Sequence, residues 1–474
     1  MAGTPDQAPN STRVRSEQHH CIVIGGGLAG MVAARRMVEL GVRPTVLERG
    51  SDEGGANNAR ISGGLLHVAW EAMDTPADDL YARLLKETDG EIDHALARRF
   101  ADDAGATVEW LEGLGIEISP KKPGVPYMKH ALAPHTVGVG RRINPERGPD
   151  KTMLQLYAQV REGGGDIRLG ANAQSLTPAD DGGWIVRFRT ADGALVDAHA
   201  PVVLAADGGF QGSPELLGRY VGPNAGTSLL RAMPTSTGAA LQMLLDNGAR
   251  GVGLGRVYGH VVSITAFETD TLWPYPPLDK LCLNALLVDQ AGARFPTHAG
   301  DGVQLVNELA RSESPRGFRV ICDEALWSGA GADNPYGTPV PNPDLVERGG
   351  DHHAAATIAE LAQEIGLDPR ALQAAVDLHN ADPAKTPIAQ GPFHALGVVP
   401  GITFTMGGVK VAPGGEVLDD VEASIHGLYA AGSCTGGLHG GPRGGYVGGL
   451  AHAAVFGRVV AESIAQTLTK GAAA

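Results

Sequence analysis

The chain has 474 residues, 43% hydrophobic and 19% charged, enough to bury the cores of two or three domains. Its formal net charge of -15 argues against a nucleic-acid surface, which needs a basic patch. No run of about 18 apolar residues occurs, so no membrane-spanning helix is expected.

The first stretch, MAGTPDQAPNSTRVRSEQHH, is polar and lacks the apolar core of a signal peptide, so residues 1–18 are expected to be a disordered leader. Cys21 to Ile24 read as a short buried strand. Leu28, Val32, Ala33 and Met37 share one helical stripe, and Val42 to Leu47 read as a second strand. Strand, helix and strand make a βαβ unit, which calls for a parallel sheet. After a polar loop at 50–64, amphipathic helices are expected near 76–88, with Thr75 as N-cap, and near 92–113. Residues 119–150 are rich in proline and glycine and read as irregular. A helix at 152–162 and strands near 166–177 follow. WIVRFRTADGALVDAH predicts a hairpin turning at Ala191-Asp192-Gly193, and PVVLAADGGF a buried strand ending at Gly208-Gly209. From about 255 to 398 prolines, aromatics and long loops dominate, with helices near 354–366 and 370–379. After 400 the glycine-rich style returns and closes with a helix at 449–469. The expected fold is α/β: a Rossmann-like domain from 19–254 and 399–474, interrupted by an inserted α+β capping domain at 255–398.

The four cysteines, Cys21, Cys282, Cys322 and Cys434, are scattered without a metal-type or redox spacing. No metal site is expected, and a reducing, cytoplasmic setting is. Glycine is the outlier: 67 residues, about twice the usual ~7%. The glycines cluster, which points to tight turns and to close approach of a ligand to the backbone. Gly25-x-Gly27-x-x-Gly30 follows a strand and opens a helix, and Glu48 ends the next strand. In that setting Gly25 allows the tight turn, Gly27 lets a pyrophosphate approach the helix N-terminus, and Gly30 lets helix and strand pack closely. The carboxylate of Glu48 suits an adenosine ribose and repels a 2′-phosphate. This motif fits FAD and NAD alike.

The later segments SDEGGANNARISGGLLH, VVLAADGGF and GLYAAGSCTGG separate the two. With them the chain resembles, over about 19–465, the flavoprotein-subunit family of fumarate reductase and succinate dehydrogenase. Within that family it resembles the soluble branch of tricarballylate, 3-ketosteroid and cyclohexanone-type dehydrogenases. The resemblance implies noncovalent FAD. It places Leu28, Ala29 and Arg49 beside the glycine motif and Glu48, and the segment from Gly54 and Gly55 through Asn58 to Gly63 and Gly64 around pyrophosphate and flavin. It puts Ala173, Ala206, Asp207 and Gly208 along the cofactor, together with Gly432 and Ser433, the latter standing where many relatives have a glutamate. Gly448, Gly449 and Leu450 would start the last helix, its free N–H groups facing the flavin, and the glycines of 440–449 would make room for the ring. His67 is not in the order of the family's covalent flavin motif.

For catalysis the resemblance singles out Arg443 in HGGPR, similar to a carboxylate-gripping H-G-x-N-R run though one residue out of register. It also singles out Tyr446, similar to a ketone-polarising Tyr-x-Gly. His260 falls near a substrate histidine of the family, and Tyr127 and His135 lie in a loop that could roof the flavin. Phe404 stands where fumarate reductases have a histidine, and Arg294 is expected to be structural rather than a proton donor. Asp279 and Lys280 read as solvated charges. The implied reaction is a desaturation: a C=C bond is introduced α,β to a ketone or carboxylate of a small organic substrate, with hydride passing from the β carbon to flavin N5. Reduction of an activated alkene by reduced flavin, or FAD binding without net redox, are the alternatives. With one complete dinucleotide motif, a quinone, a carrier or oxygen is the expected external electron acceptor.

Overall fold

The computed structural model describes residues 14–136, 142–180, 182–333, 339–441 and 445–473. The βαβ unit is present: strand Cys21–Ile24, helix Leu28–Glu39 and strand Pro44–Glu48, the two strands parallel. They lie inside a six-stranded sheet in the order Glu416–Leu418, Ser424–Ala430, Val203–Ala205, Cys21–Ile24, Pro44–Glu48, Asp166–Leu169. Every pairing in it is parallel except that of its first two strands. All four residues of Cys21–Ile24 are buried, as expected for a central parallel strand covered on both faces. The final helix, Gly449–Ala473, packs on Leu28–Glu39. Gly457 permits this: a Cβ there would stand 2.6 Å from the Ala29 carbonyl oxygen.

Two expectations about the first hundred residues need correcting. Arg15–Gln18, placed in the leader, is a strand that pairs in parallel with Leu195–Ala200 at the edge of a four-stranded sheet. Its polar sequence carries no apolar signal, because it is held by ladder bonds and by the ion pair of Glu17 with Arg168 at 2.5 Å. Helix Ala77–Glu87 has Pro76, not Thr75, at the cap position, with no side-chain cap; Asp78 and Asp79 in its first turn offset the helix dipole instead. The next helix, His94–Gly113, is capped by Asp93, which accepts from the Ala95 and Leu96 N–H groups. The expected hairpin exists as Trp184–Arg189 and Leu195–Ala200. Helix Gly148–Glu162 starts inside the stretch read as irregular. Gly148 lets it do so, since a Cβ there would strike the Leu132 carbonyl.

A second sheet follows the order Leu229–Leu230, Phe393–Thr405, Phe318–Asp323, Leu286–Val288, with Val257–Ser263 and His353–Ala355 also paired to Phe393–Thr405. The predicted helices beside it are Ile358–Glu364 and Pro369–Asn380. Phe393–Thr405 is one buried 13-residue strand that runs through position 398. It carries Thr403 and Phe404 from this sheet toward the glycine loop. Among the described residues, no helix is long and apolar enough to cross a membrane.

Candidate active site

One cleft, about 2450 Å³ of space with its mouth included, begins at the carboxyl ends of the parallel strands. That is where open α/β sheets bind ligands. Ile24, Glu48, Ala206 and Ala431 line it there, and its far end reaches Tyr258, His260 and Trp273 beside the second sheet.

At the strand end the backbone leaves a cradle. Gly25 turns with φ +104°, and a Cβ on it would lie 2.6 Å from the Ala206 oxygen. Gly30 is pressed onto the Gly25 carbonyl, as close helix–strand packing requires. Gly27 faces open space: its nearest neighbour would be Asn57 Cβ at 3.7 Å, and Gly63 has nothing within 4 Å. Glu48 is 4% exposed, and its carboxylate organises the loops around the cradle. Oε1 accepts from the N–H groups of Gly50 (2.6 Å) and Ala56 (3.1 Å), while Oε2 accepts from Gly26 (2.8 Å). A carboxylate oxygen has two lone pairs, so Oε2 keeps one for a ribose hydroxyl. Asp207 Oδ2 accepts from Ala240 N–H at 2.9 Å, and Oδ1 is buried with no hydrogen-bond partner among the described residues. Burial pushes this carboxyl up to about 6. The lone pair of Glu48 and the orphaned oxygen of Asp207 are what a hydroxyl-bearing nucleotide can satisfy, and the residues present fit FAD.

Of the residues expected to touch cofactor, Leu28, Ala29, Arg49, Asn58, Gly64, Ala173, Gly208, Gly432, Ser433, Gly449 and Leu450 also line the cleft. Gly30, Gly54, Gly55 and Gly448 do not. Gly55 backs Glu48 and the Tyr157 hydroxyl, and Gly54 faces the Arg60 guanidinium, which is paired with buried Asp150. The glycine-rich stretch also differs from expectation. Cβ atoms at Gly441 and Gly445 would strike the carbonyls of Thr88 and Glu87, and one at Gly448 that of His67. These glycines admit neighbouring backbone rather than a ring. The N–H of Gly449 is committed as well, donating to Tyr446 Oη at 3.0 Å.

The other end of the cleft is aromatic. Tyr446 stacks on Tyr258 (centroids 4.0 Å apart, 20° between planes), and Phe404 lies 5.2 Å from Tyr258. Burial pushes the Tyr446 phenol up to about 12, and because its oxygen already accepts from Gly449, its own O–H is left to donate. His260 Nδ1 lies 2.5 Å from Asp279 Oδ2, so Nδ1–H donates to the carboxylate and, in the neutral ring, Nε2 accepts. Tyr258 Oη, 3.3 Å away, is the donor to that Nε2. Asp279 is therefore no solvated charge, since its other oxygen accepts from Val261 N–H at 2.6 Å. Lys280 is half-exposed and pairs with Asp333. A smaller cavity lies behind Tyr258 and His260, lined by Asp279, Lys280, Gly300 and Asp301.

His67 stacks on Trp70 at 4.9 Å and accepts the Trp70 N–H at Nδ1. Trp70 and Ala69 are held at φ +71° and +46°, a strained turn for residues with side chains. The turn presents Trp70 to both cavities. His135 lines the cleft and shares a hydrogen bond with Ser119 (3.0 Å), whereas Tyr127 packs outside, against Trp70 at 5.6 Å, and lines neither cavity. Arg294 pairs with Asp382 at 3.1 Å and lines neither cavity. Arg443 lies outside the described residues. Sequence reasoning passed over Tyr258 and Arg231, both in the cleft wall; neither sits in a motif, and only the sheet brings them there.

The family model described as FAD binding domain matches residues 20–448. The chain is 24% identical over 458 residues to NADH:fumarate oxidoreductase of Klebsiella pneumoniae, covering 92% of this chain and 46% of that protein. It is 27% identical over 330 residues to 4-oxocyclohexanecarboxylate 2-dehydrogenase of Sinomonas cyclohexanicum, covering 61% of this chain and 56% of that one. It thus spans about half the length of both relatives. Among solved structures, 3-ketosteroid delta1-dehydrogenase from Sterolibacterium denitrificans shares the fold, with a TM-score of 0.73 at 17% identity over 95% of this chain and 100% of that one.

Proposed function

Since the chain belongs to the FAD binding domain family, we propose that it is a FAD-dependent dehydrogenase that introduces a C=C bond next to the ketone of a small organic molecule. The observation that carries this reading is the pair of stacked tyrosines at the inner end of the cleft. One has no acceptor for its O–H among the described residues, and the other is joined to a histidine–carboxylate pair. When bound, FAD supplies the two-electron oxidant that takes the hydride. The glycine loop, Glu48 and Asp207 hold its nucleotide half.

Tyr446 donates to the ketone oxygen, where negative charge grows as the α proton leaves. Tyr258 receives that proton at Oη as its own passes to His260 Nε2, and Asp279 stabilises the imidazolium so formed. From His260 the proton can leave by the smaller cavity, away from the reacting carbons. Residues 255–398 act in this scheme as a capping domain whose closure excludes water. One relative is named for 4-oxocyclohexanecarboxylate, a small cyclic ketone of the class proposed here. An external quinone, carrier or oxygen reoxidises the enzyme. Cys21, Cys282, Cys322 and Cys434 are free and buried, in keeping with a reducing cytoplasm.

The test is anaerobic mixing of the yellow holoenzyme with saturated ketones and keto acids. Bleaching with formation of the enone supports the reading. Bleaching by none of them, with oxidation of reduced enzyme by fumarate or an enone, would transfer the assignment to alkene reduction.

A further inference from the structure

Arg231 is a cation that the scheme above leaves unused. It follows the two-residue strand Leu229–Leu230 and lines the cleft. It is partly exposed to the cleft, and burial lowers its pKa, with Tyr258, Asp279 and Tyr275 acting the other way. Its Nη1 donates to Thr403 Oγ1 at 3.1 Å. Its Nε is buried without a hydrogen-bond partner among the described residues. Asp279 acts on it electrostatically but makes no hydrogen bond to it among the described residues; its two oxygens face His260 and the Val261 N–H. The neighbouring guanidinium, Arg142, differs in that it pairs with Asp270 at 3.0 Å. A guanidinium with an unpartnered buried Nε and no carboxylate in hydrogen-bond contact among the described residues is costly. A ligand that brings a carboxylate repairs the deficit.

The position of Arg231 selects among anions. The pyrophosphate cradle lies at the glycine loop, whereas the groups that Arg231 feels, Tyr258 and Asp279, belong to the reacting end. With Nη1 donating to Thr403, the Nε–Nη2 edge has no partner among the described residues, and its fork matches the two oxygens of a carboxylate. Trp273, Tyr275 and Phe404 line the same cleft with flat apolar surface suited to a small ring.

We propose that Arg231 binds a carboxylate of the substrate, so that, resting on the reading above, the molecule oxidised is a small keto acid held by its ketone at Tyr446 and by its carboxylate at Arg231.

The test uses FAD-loaded enzyme and two probes of one shape, benzoate and benzamide, neither of which can be desaturated. Binding is read from the perturbation of the flavin spectrum, so no turnover is needed. Wild type should bind benzoate at least about 10-fold tighter than benzamide. Arg231→Met should weaken benzoate by about 30-fold or more and leave benzamide within about threefold, with FAD content unchanged. Arg231→Lys, which keeps the charge without the fork, should fall between them, and it serves as the reading if the methionine variant does not fold. Equal binding of the two probes by wild type, or benzoate binding unchanged in the variants, overturns the proposal. Loss of FAD from the variants, with benzoate affinity of the remaining holoenzyme intact, overturns it also and makes Arg231 a cofactor contact. If benzoate binding depends on Arg231 but no ketone bleaches the flavin, the carboxylate site stands and the dehydrogenase reading fails.

Discussion

Replacing Tyr446 by phenylalanine removes a single oxygen but two interactions. The ring stays, so its stacking on Tyr258 at 4.0 Å and on His439 at 5.8 Å is kept, and FAD retention should not change. The first loss is the acceptor of the Gly449 N–H at the start of the last helix. A part-buried donor left without a partner costs about 1–3 kcal/mol, which should appear as a lower melting temperature. The second loss is a phenol O–H that has no acceptor among the described residues and is placed in the proposal to meet the ketone oxygen. Removing one donor to a developing oxyanion costs roughly 10²–10³ in rate. Anaerobic stopped-flow reduction of the bound flavin by a ketone substrate separates the two effects, because only the second changes the rate at saturating substrate. Burial pushes this phenol up to about 12, so the donor stays protonated across the usual assay range and its loss should be independent of pH between 6 and 9. Reduction within about twofold of wild type, with FAD bound, would refute the assignment of Tyr446 as the oxyanion donor.

Other parts of the site make their own predictions. Glu48→Ala strands the N–H groups of Gly26, Gly50 and Ala56, so even the cofactor-free protein should melt at a lower temperature by calorimetry, and FAD should be lost on desalting. His260→Gln and Asp279→Asn should each slow flavin reduction and alter its pH profile while FAD occupancy holds; unchanged profiles would remove the relay through Tyr258. The neutral imidazoles His67 and His452 have folded pKa values lowered by burial to about 4. Their contribution is present above the unfolded value of about 6.5 and is lost as pH falls toward 4, about 3 kcal/mol each. Urea midpoints measured across that window should fall steeply, and His67→Phe should flatten the slope.

The sequence by itself determined the βαβ unit with its glycine turn. Gly25, Gly27, Gly30 and Glu48 are spaced by the local geometry of one strand, turn and helix, and local geometry is written in short stretches of chain. It also determined the hairpin at 184–200 and the helices at 358–380, where a turn or an apolar period suffices. Only the tertiary structure decided what surrounds Tyr446 and His260 in the proposed reacting half. Tyr258, Arg231 and Thr403 come from distant segments, and the 13-residue strand Phe393–Thr405 brings them together by pairing with Val257–Ser263 on one side and Leu229–Leu230 on the other. What packs against Gly441, Gly445 and Gly448, the carbonyls of Thr88, Glu87 and His67, was likewise visible only in the tertiary structure. A glycine states only that something must come close; which group does so depends on contacts that span hundreds of residues and have no local pattern to read.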